Sequence, residues 1–237
     1  MIELRDVVVA YDTRVILDSV NLTIKDGETL VILGGSGSGK STLLRLIIGL
    51  QRPTSGQIIV DGVDITTLSE EEFNKVRQKM GMVFQYSALF DSMSVGENVA
   101  FGLREHTNLS DDKIQHIVDE RLGWVGLSGY ESYMPNELSG GMKKRVSLAR
   151  AIALDPTLIL YDEPSSGLDP ITSGTISMLI RGMQERLGCT SIVVTHDMQS
   201  AFYVADRIAL LDKGKFIEVS KTEDFKNSPN PKDRKSV

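Results

Sequence analysis

The chain has 237 residues, 41% of them hydrophobic and 24% charged, which is ordinary for a globular protein and enough to bury a substantial core. Its formal net charge of −6 disfavours a nucleic-acid partner or an anionic membrane surface, and its single cysteine, Cys189, excludes an intrachain disulfide. The first residues carry charges where a signal peptide is apolar, and no stretch approaches the ~20 apolar residues that span a bilayer. We therefore expect any membrane role to be that of a peripheral subunit.

The first third of the chain predicts strands around one short helix. Residues 20–24 (VNLTI) alternate apolar and polar side chains, and after a KDG turn residues 28–33 (ETLVIL) form the apolar run of a buried strand. A short apolar helix follows at 41–50, and residues 57–62 predict a strand that ends in an Asp-Gly turn. A serine and a glutamate with capping-box spacing then open a helix over about 69–79.

The middle of the chain predicts a change from strands to helices. Residues 80–85 predict a strand, and from 87 to 154 the pattern is mostly helical. Residues 157–163 form a buried strand that ends in two acids. Asp169 caps the next predicted helix, which has a proline at its first position and ends at Gly188.

The last part of the chain predicts a buried strand at 190–196 and a hairpin around a DKG turn at 207–219. Buried strands that alternate with helices indicate an α/β domain with a mainly parallel sheet, and the early hairpins indicate a small antiparallel sheet beside it. The predicted organisation is one domain over 1–225, with its core and antiparallel part at 1–86 and 155–225 and a helical subdomain at 87–154, followed by a polar tail at 226–237.

The stretch GGSGSGKST, between a predicted strand and a predicted helix, matches the phosphate-binding motif G-x-x-x-x-G-K-[ST]. Its residues are Gly34, Gly35, Ser36, Gly37, Ser38, Gly39, Lys40, Ser41 and Thr42. Glycines let backbone N–H groups turn inward, and a helix N-terminus adds positive potential. We expect Lys40 to reach the β- and γ-phosphates of a nucleotide, Ser41 to bind Mg²⁺ and Thr42 to bind the α-phosphate. A flexible linker is the alternative, but it does not explain the order of strand, loop and helix.

Two acids, Asp162 and Glu163, end the predicted strand at 157–163. Sheets of α/β proteins place their ligands at the carboxyl ends of the strands. We expect Asp162 to hold Mg²⁺ and Glu163 to polarise an attacking water as a general base. A pair of ordinary surface acids is the alternative, which the phosphate-binding motif in the same chain disfavours.

Short motifs in a fixed order make the chain resemble the ABC-type ATPases over about residues 1–220. The motifs are GGSGSGKS, Gln85 after a strand, LSGGM (138–142), LILYDE (158–163), SGLD (166–169) and His196. The resemblance implies a P-loop NTPase core of the RecA type with an inserted α-helical subdomain, and hydrolysis of ATP with Mg²⁺. A P-loop kinase is disfavoured because it leaves LSGGM, SGLD and His196 without a role.

A second loop, formed by Ser139, Gly140 and Gly141, precedes a predicted helix. In the family two copies pack head to tail, so the resemblance implies that this loop covers the ATP bound to the phosphate loop of the other copy. A capping serine, a helix N-terminus and glycines without side chains suit a phosphate. The chain has Met142 where the family usually has glutamine, and we expect hydrolysis to survive this change.

Four further residues take their expected roles from the resemblance. Tyr11 is expected to stack on adenine, and Gln85 to contact Mg²⁺ or the attacking water. Asp169 is expected to organise the dimer interface as well as to cap its helix, and His196 to contact the γ-phosphate. For Tyr11 and His196, taken without the resemblance, a structural role is the alternative.

Within the family, residues 87–105 and 162–173 resemble the ATPases of MCE-associated lipid transporters, which include the Mla-type phospholipid systems. This implies a membrane permease dimer, an MCE-domain lipid-binding protein and a STAS-domain regulator as partners, and a peripheral place on the cytoplasmic face of the inner membrane. The permease is expected to dock near Gln85 and residues 86–95. An ATPase of another importer and a scaffold ATPase, as in Fe–S cluster assembly, are the open alternatives.

Overall fold

A computed structural model describes residues 1–227, so the predicted polar tail lies outside the described residues from residue 228 onward. The contacts of the chain group into two compact units. The first unit comprises Met1–Arg77 and the described residues from Cys189 onward, and the second comprises Gln78–Gly188. Among residues 1–227, none of the helices combines the length and the apolar character that crossing a bilayer requires.

Strands and helices alternate along most of the described chain. In chain order the elements are β1 (Ile2–Tyr11), β2 (Arg14–Ile24), β3 (Thr29–Leu33), α1 (Lys40–Ile47), β4 (Ser55–Val60), β5 (Val63–Asp64), α2 (Glu70–Arg77), β6 (Met80–Val83), α3 (Val95–His106), α4 (Asp111–Trp124), a 3₁₀ turn (Pro135–Glu137), α5 (Gly140–Ala151), β7 (Leu158–Asp162), α6 (Pro170–Leu187), β8 (Thr190–Thr195), α7 (Met198–Val204), β9 (Arg207–Asp212), β10 (Lys215–Lys221) and α8 (Thr222–Lys226).

The first unit contains the predicted antiparallel sheet, with strand order β2-β1-β4-β5. Strand β1 pairs antiparallel with both β2 and β4. Apolar side chains of β1, among them Leu4 and Val9, are buried on the inner face of this sheet. After β4, Asp61 and Gly62 both have positive φ, at 49° and 80°, as the tight turns that suit Asp-Gly require. The turn predicted from the dipeptide is therefore confirmed.

The first unit also contains four strands in the order β10-β9-β3-β8. Strand β3 is parallel to both β8 and β9, and all residues of β3 and β8 are buried, as is typical of parallel strands covered on both faces. Leu33 and Thr195, the last residues of β3 and β8, are register partners. The residues that follow these two strands therefore leave the same edge side by side.

The second unit pairs β6 with β7 in parallel and packs α3, α4 and α5 against one another. Helix α5 ends directly on β6, because a Cβ atom on Gly81 would lie 2.4 Å from the Ala151 carbonyl oxygen. Helix α6 begins with Pro170 after the cap Asp169 and ends at Gly188 in the left-handed conformation, as predicted. The α/β class with parallel core strands, a separate antiparallel sheet and a helical segment is thus confirmed, while the domain boundaries stay predictions.

Candidate functional site

The phosphate-binding motif forms the connection between β3 and α1. Gly39 precedes the helix with φ of 109°, a backbone conformation that side chains disfavour. Gly34 is packed against the neighbouring strand, since a Cβ atom there would lie 2.3 Å from the carbonyl oxygen of Leu211. Both glycines are therefore required by the shape of the loop, and the helix N-terminus follows it at once, as the motif predicts.

Lys40 lies against this loop. Its side chain is 7% exposed, and Nζ donates hydrogen bonds to the carbonyl oxygens of Gly34 at 2.7 Å and Gly35 at 3.2 Å. The loop carbonyls thus hold the ammonium at the site where the motif predicts phosphate.

A buried hydroxyl of the same loop lacks a hydrogen-bond partner. Ser38 is 7% exposed, and its Oγ atom has no partner among the described residues. A buried hydroxyl without a partner carries a desolvation cost, which a bound phosphate oxygen would relieve. The loop therefore fits an anionic ligand on its own geometry.

An open cleft in front of the loop is lined by residues 37–42 together with Arg14 and Ile16. The sequence predicted neither of these two residues, because they come from the start of β2 and carry no motif. Tyr11 does not line this cleft, but it is the register partner of Arg14 at the end of the β1–β2 hairpin and is 55% exposed. Because Arg14 lines the cleft, its pairing with Tyr11 places Tyr11 close to the cleft. Stacking of Tyr11 on adenine stays a prediction.

His196 follows β8 and is exposed, and the next residue, Asp197, caps α7 by accepting from the Gln199 N–H at 2.9 Å. Since Leu33 pairs with Thr195, His196 leaves the sheet edge next to Gly34, where the phosphate loop begins. The structure therefore brings His196 to the edge that carries the loop, although contact with a γ-phosphate stays a prediction.

The second unit places Gln85 beside the two acids. Val83 and Tyr161 are register partners on parallel strands, so Gln85 and Glu163, each two residues further on, leave the same edge together with Asp162. Asp162 and Glu163 are both half-buried. Glu163 has φ of 46°, a left-handed conformation that is strained for a residue with a side chain and often marks a functional site.

Lys144, which belongs to none of the motifs, also lies in this cluster. It is on α5, is 5% exposed, and its Nζ donates a hydrogen bond to the backbone carbonyl of Gln85. Burial lowers the pKa of the Lys144 ammonium, and the charges of Asp162 and Glu163 oppose that shift. The cluster thus combines an amide, two carboxylates and a buried cation.

The second predicted loop begins α5. Ser139 is its N-cap, with Oγ accepting a hydrogen bond from the Met142 N–H at 3.3 Å, so the predicted cap is confirmed. Ser139 and Gly140 are exposed. The start of α5 is therefore exposed, which suits an anion at this helix N-terminus. That the anion is the phosphate of another copy's ATP stays a prediction.

Asp169 caps α6 by accepting from the N–H groups of Ile171 and Thr172, each at 3.0 Å, and from the Thr172 hydroxyl at 2.6 Å. The Thr172 hydroxyl bond is the largest cause that lowers the pKa of the Asp169 carboxyl. Asp169 itself is exposed. The capping role is confirmed, and a role in a dimer interface stays a prediction.

Within residues 1–227, no group of three or more His, Cys, Asp and Glu residues forms a metal site by itself. Mg²⁺ usually takes only one or two protein carboxylates and completes its shell with water and substrate phosphates. The predicted oxygen ligands Ser41, Gln85 and Asp162 match that preference in chemistry.

Comparisons with known proteins agree on one family. The family model described as ABC transporter matches residues 17–166. The chain is 46% identical over 228 residues to the intermembrane phospholipid transport system ATP-binding protein MlaF of Haemophilus influenzae, which covers 96% of this chain and 86% of that protein. It is 43% identical over 230 residues to the probable ribonucleotide transport ATP-binding protein mkl of Mycobacterium bovis, which covers 97% of this chain and 64% of that protein.

Two solved structures are similar over nearly the whole chain. A dimeric post-hydrolysis state of the ATP-binding cassette MJ0796, bound to ADP and Pi, matches with a TM-score of 0.87 and 36% identity over 94% of this chain and 99% of that one. The protein cbiO1 of Clostridium perfringens, part of the ABC transporter complex cbiONQ, matches with a TM-score of 0.88 and 33% identity over 96% of this chain and 90% of that one.

Proposed function

The chain belongs to the ABC transporter family, and we propose that it is the subunit that binds and hydrolyses ATP to drive a membrane permease that transports phospholipid. The observation that carries the ATP-binding part is the loop between β3 and α1. Its buried Lys40 lies on the loop carbonyls, and its buried Ser38 hydroxyl has no partner in the described part of the chain. A triphosphate supplies the acceptors and the negative charge that this loop lacks.

The first unit holds the nucleotide. Lys40 binds the β- and γ-phosphates, and Tyr11 stacks on adenine. The hydroxyl of Thr42 binds the α-phosphate, and that of Ser41 is the proposed Mg²⁺ ligand. Arg14 on the wall of the cleft adds a positive charge close to these groups.

The second unit supplies the side chains that act on the attacking water. Glu163 accepts a proton from the attacking water as general base, while the side-chain amide of Gln85 orients that water. Ser41, Gln85 and Asp162 are the residues that would hold Mg²⁺, and the ion would supply positive charge that neutralises the phosphates. His196 contacts the γ-phosphate, and its place beside the phosphate loop on the β3–β8 edge supports this role.

A second copy of the chain completes each site. Ser139, Gly140 and Gly141 present the N-terminus of α5 to the γ-phosphate held by the other copy, and Asp169 lies at the interface. The accessible start of α5 supports this arrangement, as does the dimeric state of the similar MJ0796 cassette with ADP and Pi.

The name of the similar protein MlaF specifies intermembrane phospholipid transport, which supports phospholipid as the cargo. The proposed partners come from the sequence resemblance to MCE-associated transporters: a permease dimer, an MCE-domain lipid-binding protein and a STAS-domain regulator, with this subunit peripheral on the cytoplasmic face of the inner membrane. Tyr86 and Phe90, one and five residues after Gln85, are 87% and 41% exposed and support docking of the permease at this segment.

The similarity to mkl, whose name specifies probable ribonucleotide transport, makes a ribonucleotide the second candidate cargo. The decisive experiment is purification of the chain with its membrane subunits from native membranes. Bound phospholipid identified by mass spectrometry, together with ATP-dependent movement of labelled phospholipid between the membranes of reconstituted vesicles, is the expected result. Movement of ribonucleotide without movement of phospholipid would instead establish the second candidate.

A further inference from the structure

Helix α5 holds the segment at residues 85–88 through two cationic side chains, of which Lys144 is buried and Arg150 half-buried. Lys144 donates to the carbonyl of Gln85, and one helix turn and a half later Arg150 donates to the carbonyls of Ser87 and Ala88 at 2.9 and 2.7 Å. Ser87 and Ala88 have φ of 64° and 47°, so the segment that α5 holds is strained. Three carbonyls of the segment, at residues 85, 87 and 88, therefore depend on one helix for their donors.

The ammonium of Lys144 is buried among groups that compensate its charge. A buried ammonium is costly unless hydrogen bonds and opposite charges compensate it. Here the compensation comes from the Gln85 carbonyl and from the two carboxylates Asp162 and Glu163. These two carboxylates lie next to each other along the chain, and the positive charge of Lys144 is in their surroundings.

We propose that Lys144 is a positioning residue for ATP hydrolysis, whose ammonium fixes the backbone of Gln85 at the strand edge that also carries Asp162 and Glu163. The inference rests on the proposed ATP hydrolysis. In this role Lys144 acts through Gln85, whose backbone carbonyl accepts its hydrogen bond. Lys144 also lies five residues after Ser139, the N-cap of α5, so the same helix carries the second predicted loop and the donor to Gln85.

We expect the chain to stay folded when Lys144 alone is replaced, because Arg150 still holds the segment at residues 85–88. The side chain of Arg150 keeps its two hydrogen bonds to the segment and its contact with the ring of Phe90, 5.8 Å from the ring centroid. A methionine at residue 144 has an unbranched stem of similar length and no charge, so it tests the ammonium rather than the packing.

The test compares the Lys144→Met and Lys144→Arg variants with the unmodified chain, each purified in complex with its membrane subunits. We expect Lys144→Met to lower kcat for ATP by about tenfold or more, with KM and the dissociation constant for ATP changed by less than about threefold. Lys144→Arg keeps a cation and N–H donors and is expected to restore most of kcat. Lys143→Met, which removes the neighbouring and more exposed lysine, is the matched control and is expected to hydrolyse ATP at the unmodified rate.

Two outcomes overturn the proposal: an unchanged kcat in Lys144→Met, or an equal loss of kcat and ATP binding in Lys144→Met and Lys144→Arg, which is the result of a packing role. If Lys144→Met does not fold, Lys144→Gln, which keeps an N–H donor without the charge, gives the same comparison. If the unmodified complex itself does not hydrolyse Mg-ATP, the proposed function fails rather than this assignment alone.

Discussion

Gly141, in the first turn of α5, packs so closely against Thr172 of α6 that a Cβ atom on Gly141 would lie 2.6 Å from the Thr172 Cγ2 atom. Gly140, one residue earlier, has room, since its nearest neighbour, Leu168 Cδ2, would be 3.8 Å away. The two glycines of one motif therefore answer different requirements. The fold of the single chain needs Gly141, whereas only the proposed phosphate of the other copy needs Gly140.

Alanine at each of these two glycines is expected to separate folding from dimer formation. Gly141→Ala overpacks the α5–α6 contact and is expected to lower the free energy of unfolding by ~1–3 kcal/mol. Gly140→Ala is expected to unfold like the unmodified chain in urea but to reduce ATP-driven dimer formation and hydrolysis. Urea titrations and ATPase rates of both variants check this, and the opposite assignment of the two defects would refute the role of Gly140.

The parts of the site that depend on local sequence were predictable. A glycine-rich loop between a buried strand and a helix fixes the phosphate loop, and the caps Ser139 and Asp169 satisfy N–H groups within three residues of themselves. Such features need no knowledge of distant parts of the chain. The same holds for the Asp-Gly turn after β4 and for the left-handed end of α6 at Gly188.

The parts that depend on tertiary packing were not predictable. Arg14 reaches the cleft only through the register of the β1–β2 hairpin. Lys144 sits in the run KKR, which is typical of a solvated face, and only the orientation of α5 buries it. Helix α7 was not predicted because its seven residues are too few for a clear apolar period. Its cap, Asp197, directly follows His196, to which the resemblance assigns a role in the site.

Lys40→Ala is expected to remove nucleotide binding while the chain stays folded. The substitution deletes the charge that meets the phosphates and the hydrogen bonds to Gly34 and Gly35, so ATP affinity should fall by about tenfold or more. Titration with a fluorescent ATP analogue and melting curves with and without Mg-ATP measure this. Lys143→Ala is the control, and an unchanged ATP affinity in Lys40→Ala would remove the loop from the proposed site.

Ser139→Arg is expected to block closure of the second loop over ATP. The bulky cation replaces the N-cap hydroxyl, so the start of α5 is loosened and the approach of another copy is obstructed. ATP binding to the single chain should persist, while hydrolysis falls by at least about tenfold. Ser132→Arg places the same bulk and charge at another exposed serine of the second unit. Normal hydrolysis by Ser139→Arg would mean that this loop is not a lid.

Glu163→Gln is expected to trap the ATP-bound pair of chains. Glutamine has the size of glutamate and tolerates the same backbone, so the strained conformation at φ 46° is kept while the carboxylate that accepts the water proton is lost. Hydrolysis should fall by about 100-fold or more, and Mg-ATP should shift the variant to a dimer in size-exclusion chromatography with light scattering. Glu71→Gln, on the exposed face of α2, is the matched control. If Glu163→Gln turns over ATP at the full rate, the general-base assignment is wrong. If it binds Mg-ATP yet stays monomeric, the shared site is wrong, because each copy then holds its nucleotide without Ser139 of the other.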